Sequence, residues 1–309
     1  ANGAGINLWG APDHRTASYS PKIFKKLTEV LEICEPIYQA VQGSRAYAEV
    51  GILYSVRDWD LELQTKHLPF GLKECGLHLN EEALGAYKML RRKHVPPAFF
   101  CQETITKETL ADIRLLVVPH CQTIGDEALE IILDYLEKGG RLLITGASGY
   151  YTPSGQKRDK IMGELVGVKE HIKGAFFRIE PDCEIDNPYY RIRTGYWPVE
   201  KLSSESLECF GRILLPALEQ VNPDVFDSHD VRVGRPSGEP AFTSGVFGKG
   251  RYQYVNHLLF TAYLKAGLPG LETVGDDLLK RLNYLPEIIS NLPAHVEVVY
   301  RRKEEGPDI

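Results

Sequence analysis

The stretch from Arg114 to Gly149 constrains the fold of this chain more than any other, because it reads as a complete strand, helix and parallel strand. Leu115 to Val118 is continuously apolar without alternation, the pattern of a strand buried on both faces of a parallel sheet. Gly125 and Asp126 open a helix in which Leu129, Ile132, Leu133 and Leu136 recur at three- and four-residue spacing, one stripe facing a sheet. Gly139 and Gly140 close it, being the residue type that tolerates a left-handed terminus, and Leu142 to Thr145 return as a second buried strand. Crossovers of this kind are right-handed, so the two strands lie parallel with the helix over them.

Chemistry in doubly wound domains sits just past the carboxyl ends of such strands. Here that loop is Gly146-Ala147-Ser148-Gly149-Tyr150-Tyr151. It has no cysteine at the turn, no glycines two positions either side of Ser148 as a nucleophile elbow requires, and no dinucleotide fingerprint. Ser148 reads as a polar turn residue, and Ser148, Tyr150 and Tyr151 are the ligand-loop candidates of this strand end. His120 and Cys121 end the previous strand, but strand neighbours point to opposite faces, so they are not expected to share a proton. Asn256 and His257 end a later strand and read as caps of the helix after it. Asp182, Glu184 and Asp186 alternate around Cys183 without the central glycine and distal glutamate of a calcium loop, so no metal site is expected there. Tyr189, Tyr190, Tyr196 and Trp197 suit an interface, where such rings give area with a polar handle.

The units around this stretch repeat the alternation. A helix is predicted from Pro21 to Gln39, a buried strand over Ala48 to Ser55, and a helix over Asn80 to Lys93 with Asn80 as cap. Pro97 to Cys101 reads as a strand and Thr106 to Ile113 as a short helix. The predicted class is α/β, an open parallel sheet with helices on both faces. Beyond Tyr151 the pattern predicts a short helix over Lys157 to Leu165, strands over Gly174 to Ile179, Tyr189 to Arg193 and Arg212 to Leu218, and a hairpin over Phe242 to Val255 on the sheet edge. Helices over Leu259 to Lys265 and Gly275 to Ser290 and a strand over Val296 to Tyr300 complete the chain.

A length of 309 residues suits about two domains, and 43% hydrophobic residues suffice for a sizeable core. The net charge of −6 comes without a basic run, which argues against nucleic acid or an anionic membrane as partner. No apolar run spans a bilayer and no leader pattern opens the chain. The cysteines Cys34, Cys75, Cys101, Cys121, Cys183 and Cys209 have no paired spacing, so a zinc site is not expected, and buried free thiols in the cytoplasm are. No cofactor motif is present, and none is expected to bind.

Three segments carry a family resemblance: Ala48 to Ser55, Arg114 to Gly149, and Gly248-Lys249-Gly250-Arg251-Tyr252-Gln253-Tyr254-Val255. Together they resemble the trimerisation domain, similar to class I glutamine amidotransferases, that follows the catalytic barrel in family 42-type β-galactosidases and related glycoside hydrolases. The order of Gly5 to Trp9, a helix to Gln39 and then Ala48 to Ser55 is similar to the barrel's last strand and helix leading into that domain. The resemblance implies three parts: 1–46 as the end of a catalytic barrel, 47–265 as a flavodoxin-like, amidotransferase-like domain, and 266–309 as a helix and the start of a β-rich segment. It implies a non-catalytic domain that assembles subunits as a trimer or dimer and walls the active site of its own barrel, where carbohydrate binds. The two carboxylates of a retaining glycosidase belong to earlier barrel strands, so no catalytic residue is expected here. Trp9, Asp13 and His14 would then project toward substrate, since loops after barrel strands hold it and indole faces stack on sugars. The rival is a free-standing amidotransferase- or peptidase-type enzyme using Ser148 or Cys121 with a histidine. A third reading is a small-molecule binding module with its ligand near Gly146 to Tyr151.

Overall fold

The computed structural model describes residues 20–58, 81–163, 165–167, 182–187, 190–195, 208–216, 233–267 and 269–303. They fall into two compact units, Ala1–Ala48 with Glu297–Ile309, and Glu49–Val296. Trp9, Asp13, His14, Asn80, the expected strand at Gly174 to Ile179 and most of the Tyr189 to Trp197 cluster lie outside the described residues.

The first unit contains helix α1 (Pro21–Val41) and strand β1 (Ser44–Ala46). Pro21 starts α1, where its missing N–H is no loss. None of its residues is buried, and Phe24, Leu31 and Ile33 are 55%, 47% and 70% exposed. Strand β1 pairs antiparallel with the last strand, β13 (Arg301–Lys303). The expected strand at Val296 to Tyr300 is therefore displaced: Val296 N–H turns back onto the Pro293 carbonyl, and regular pairing starts only at Arg301.

The second unit opens with β2 (Val50–Tyr54), α2 (Glu81–Arg92), β3 (Pro97–Cys101), α3 (Lys107–Leu110), β4 (Leu115–Pro119), α4 (Asp126–Glu137) and β5 (Arg141–Thr145). The short strands β6 (Lys160–Ile161) and β7 (Val166–Gly167) pair with each other. Then come β8 (Asp182–Asn187), β9 (Tyr190–Gly195), β10 (Glu208–Pro216), β11 (Val233–Phe247), β12 (Gly250–Val255), α5 (Leu259–Ala266) and α6 (Pro269–Arg281). One nine-stranded sheet runs β3-β2-β4-β5-β12-β11-β10-β8-β9. Pairing is parallel from β3 to β12 and antiparallel from β12 to β9.

The continuously apolar strands have the predicted cause. Alternate residues of β2, β4 and β5 enter two cores: Ile52, Val117 and Leu143 pack with α2, α5 and α6, while Leu53, Leu116 and Ile144 pack with α4 through Leu129, Ile132 and Leu136. Each fully buried aliphatic side chain contributes about 2 kcal/mol.

Four expectations are corrected. The hairpin of β11 and β12 lies inside the sheet, not on its edge, because β10, β8 and β9 extend the ladder beyond it. Lys157 to Leu165 is not a helix: Met162 and Gly163 have φ of 52° and 69°, and successive left-handed residues cannot continue a right-handed coil. The last helix is Pro269–Arg281 rather than Gly275 to Ser290, since Asn283 at φ 51° turns the chain away. Of the four cysteines whose side chains are described, only Cys121 is buried; Cys34 and Cys101 are intermediate and Cys209 is exposed.

Candidate functional site

The strand order reverses direction between β2 and β4: the chain goes out to β3, then returns across β2 to β4. A crevice opens at the carboxyl ends of strands at such a point. A small cleft lies there, lined among others by Tyr54, Ser55, Asp58, Ala83, His120 and Cys121.

His120 follows the last residue of β4 with φ 49°, a left-handed conformation that costs a non-glycine residue energy. Its own N–H is held by the Thr145 carbonyl at 3.2 Å, and its Nδ1 accepts the Ala147 N–H at 3.1 Å. That acceptor role places the ring proton on Nε2. Burial lowers its pKa to about 4, so the imidazole is neutral at pH 7. Gly146, at φ +56°, makes room for the ring: a Cβ there would stand 2.2 Å from Nδ1.

The thiol and the hydroxyl beside it are engaged elsewhere. Burial pushes the Cys121 thiol well above its usual range, and Asp58 and Glu103 add in the same sense, so it stays protonated and a poor nucleophile. Its N–H donates to Ser148 Oγ at 3.1 Å, and that hydroxyl lies 2.8 Å from the Val118 carbonyl and 2.7 Å from the Thr145 carbonyl. Ser148 thus fastens its loop to the end of β4, extending the turn role read from sequence. Ser148, Tyr150 and Tyr151 are 0%, 2% and 9% exposed, with the tyrosine rings edge to face at 5.1 Å inside the α4 core.

Two buried carboxyls complete the carboxyl edge, and neither was singled out from sequence. Asp58, in the helical turn after β2, accepts Gln122 N–H at 2.9 Å and Thr123 N–H at 2.7 Å. Burial raises it to about 7 against the lowering effect of those bonds. Glu82, in the first turn of α2, accepts Phe260 N–H at 3.1 Å and Thr261 N–H at 2.6 Å, and burial again raises it to about 7. Glu82 therefore caps α5, whose own cap residue Leu258 provides no side-chain bond. Asn256 Nδ2 donates to the Pro240 carbonyl at 3.1 Å, and His257 packs edge to face on Phe242 at 5.1 Å. Glu103 acts in parallel on the turn before Asp58, its Oε1 accepting Val56 N–H at 3.1 Å and Arg57 N–H at 3.3 Å, while its Oε2 accepts the Cys101 thiol at 2.7 Å. Acidic residues in a first helical turn were legible as macrodipole partners, but nothing in the local pattern shows that Glu82 serves a different helix.

The cleft thus offers a neutral imidazole and a carboxyl that is half ionised near neutrality. Among the described residues it joins no nucleophile to a base. No group of three or more His, Cys, Asp or Glu among them could hold a metal ion, and no described helix is long and apolar enough to cross a membrane.

No protein-family model matches this chain, and no curated protein matches its sequence. Solved structures do. Gan42B, a GH42 β-galactosidase from G. stearothermophilus, is similar with a TM-score of 0.63 and 16% identity, over 96% of this chain and 38% of that one. The β-galactosidase of Bacillus circulans sp. alkalophilus gives 0.64 and 17%, over 94% and 39%. The α-L-fucosidase isoenzyme 2 of Paenibacillus thiaminolyticus also gives 0.64 and 17%, over 94% and 41%. The α/β fold is shared with glycoside hydrolases, and the chain spans about two fifths of their length.

Proposed function

We propose that this chain is the non-catalytic assembly and active-site-walling part of a β-galactosidase-like glycoside hydrolase. The observation that carries the reading is the coverage: 96% of this chain lies along 38% of a GH42 β-galactosidase. Two features support it. The order β3-β2-β4-β5-β12 has the sequence of a flavodoxin-like doubly wound sheet, as the amidotransferase-like reading requires. At its carboxyl edge the Cys121 thiol is protonated and the Ser148 hydroxyl is bonded to backbone, so the rival enzyme has no activated nucleophile.

In this reading residues 1–46 are the barrel's last strand and helix. The unburied apolar residues of α1, Phe24, Leu31 and Ile33 among them, are the face a barrel would cover. Trp9, Asp13 and His14 face substrate, the remainder of the barrel supplies both carboxylates, and the chain assembles with copies of itself in the cytoplasm.

The test is assay of the 309-residue chain on chromogenic β-galactoside and α-fucoside, with its mass measured by light scattering and the upstream coding sequence read. The expected results are no turnover, a dimer or trimer, and further strand and helix units upstream bearing two carboxylates at strand ends. Turnover abolished by Cys121→Ala or Ser148→Ala would overturn the proposal in favour of the rival.

A further inference from the structure

The nine-stranded sheet ends on two unlike strands. Edge strand β9 reads YRIRTG, and two arginines in six residues oppose the approach of another strand. Edge strand β3 reads PAFFC and carries no charge. Among the described residues no strand pairs with its outer side. Beside that edge the Phe99 ring, 43% exposed, stacks on Tyr87 of α2 at 5.4 Å, and Leu84, 39% exposed, precedes Tyr87 by three helical positions. Residues three apart share a helix face, so Leu84, Tyr87 and Phe99 form one apolar strip along the edge.

The backbone of β3 is more specific than its side chains. Val50 N–H bonds to the Pro96 carbonyl at 3.4 Å and Gln102 N–H to the Tyr54 carbonyl at 2.9 Å, so the even-numbered residues serve the ladder with β2. Pro97, Phe99 and Cys101 therefore turn their backbone groups outward. Pro97 has no N–H to give, and the Cys101 carbonyl already accepts Thr104 N–H at 3.1 Å. The edge still offers the Pro97 carbonyl, both backbone groups of Phe99 and the Cys101 N–H. An antiparallel second copy of the same strand, centred on Phe99, sets Phe99 against Phe99 and Cys101 against Pro97. The two Phe99 residues then exchange both bonds, each Cys101 N–H meets a Pro97 carbonyl, and the donor that Pro97 lacks falls opposite the carbonyl that Thr104 has taken. Centred on Ala98 instead, each Phe99 carbonyl would face a proline without a donor.

We infer that the outer edge of β3 is a two-fold contact, where two copies of this chain join their sheets through Phe99. The contact rests on the reading that the chain assembles with copies of itself, and gives that assembly a surface. A two-fold contact uses the same patch on both copies and closes on itself, so it makes a dimer and leaves neither β3 edge open. Residues directly opposite in an antiparallel pair share a face, so both Phe99 rings lie on the α2 side of the joined sheet, and each brings Tyr87 and Leu84 toward the axis. A few backbone bonds and one apolar strip make a small contact, which dissociates on dilution.

The test is sedimentation velocity of the full 309-residue chain over about a hundredfold range of concentration, with amide hydrogen exchange at both ends of it. The expected result is a dimer that dissociates on dilution. The Phe99 and Cys101 amides should exchange about threefold faster or more at the dilute end, while those of Ala98 and Phe100, bonded to β2, stay unchanged. Phe99→Lys sets two ammonium groups across the axis, and Phe99→Pro removes only an outward donor; each should raise the dissociation constant about tenfold or more. A chain monomeric throughout, a trimer, or a dimer that both variants leave intact would overturn the inference. So would Phe99 and Cys101 amides equally protected at every dilution, since another part of the chain would then cover the edge. The exchange result comes from the unmodified chain and decides the matter whether or not the variants fold. The proposed function fails separately, on turnover lost in Cys121→Ala or Ser148→Ala.

Discussion

At the scale of single residues, two glycines are set by what stands beside them rather than by a turn pattern. A Cβ on Gly85 of α2 would lie 2.0 Å from the Phe260 carbonyl oxygen, so Gly85→Ala must push α2 and α5 apart. Overpacking of this kind costs about 3 kcal/mol, and urea denaturation is the measurement; a loss under about 0.5 kcal/mol would show that the helices yield without cost. Gly146→Ala meets the His120 ring at 2.2 Å and adds the strain of φ +56°. It should lose about 3 kcal/mol alone and less in the background of His120→Ala. A coupling of about 1 kcal/mol or more in that double-mutant cycle is expected, because the two residues compete for one volume. Neither contact was legible in the sequence. Gly85 reads as a weak point in a helix and Gly146 as a turn, since the groups they make room for, Phe260 and His120, are distant in the chain.

Among the elements, β4, α4 and β5 were legible almost to the residue, because the buried runs and the helical stripe are local patterns that the two cores then use on both faces. Strand β12 was legible as a strand but not in its place, since which strand it borders depends on β5 and β10, far from it in the chain. The end of α6 was missed because Leu282, Leu285 and Ile289 continue a helical spacing that Asn283 interrupts by conformation alone. The candidate site was half legible: His120, Cys121 and Ser148 were found at strand ends, while Asp58 and Glu82 bind partners 64 and 178 residues away. Helix α5 gives the sharpest test at this scale. Glu82→Ala strands two donors at its N-terminus and should cost about 2 to 4 kcal/mol, whereas Glu82→Gln keeps one acceptor and should cost about half as much. If the alanine variant unfolds no earlier in urea than the unmodified chain, Glu82 is not the cap. In contrast, Ile33→Ser on α1 removes a side chain that is 70% exposed and should leave stability within about 0.5 kcal/mol.

For the whole molecule, the same buried groups set how stability follows pH. Asp58 and Glu82 are raised from 3.8 and 4.5 to about 7, so the folded chain holds protons that the unfolded chain has lost, and each removes stability as pH rises across that window. Glu49, raised chiefly by burial, acts in the same sense. His120 and His257 are lowered from 6.5 to about 4 and about 3, so the unfolded chain binds protons that the folded chain refuses, and each adds stability as pH rises toward 6.5. Between about pH 4.5 and 6.5 the two imidazoles offset Asp58 and Glu82, and global stability should fall only by the share that Glu49 adds. Removing the carboxyl half exposes the imidazole half: the variant carrying Asp58→Asn and Glu82→Gln should gain stability from pH 5 to 6.5, by up to about 1.4 kcal/mol per unit for each imidazole left unopposed. Urea denaturation at closely spaced pH values measures this. A double variant whose stability follows pH with the same slope as the unmodified chain would mean that the imidazoles titrate normally and that the balance lies elsewhere in the molecule.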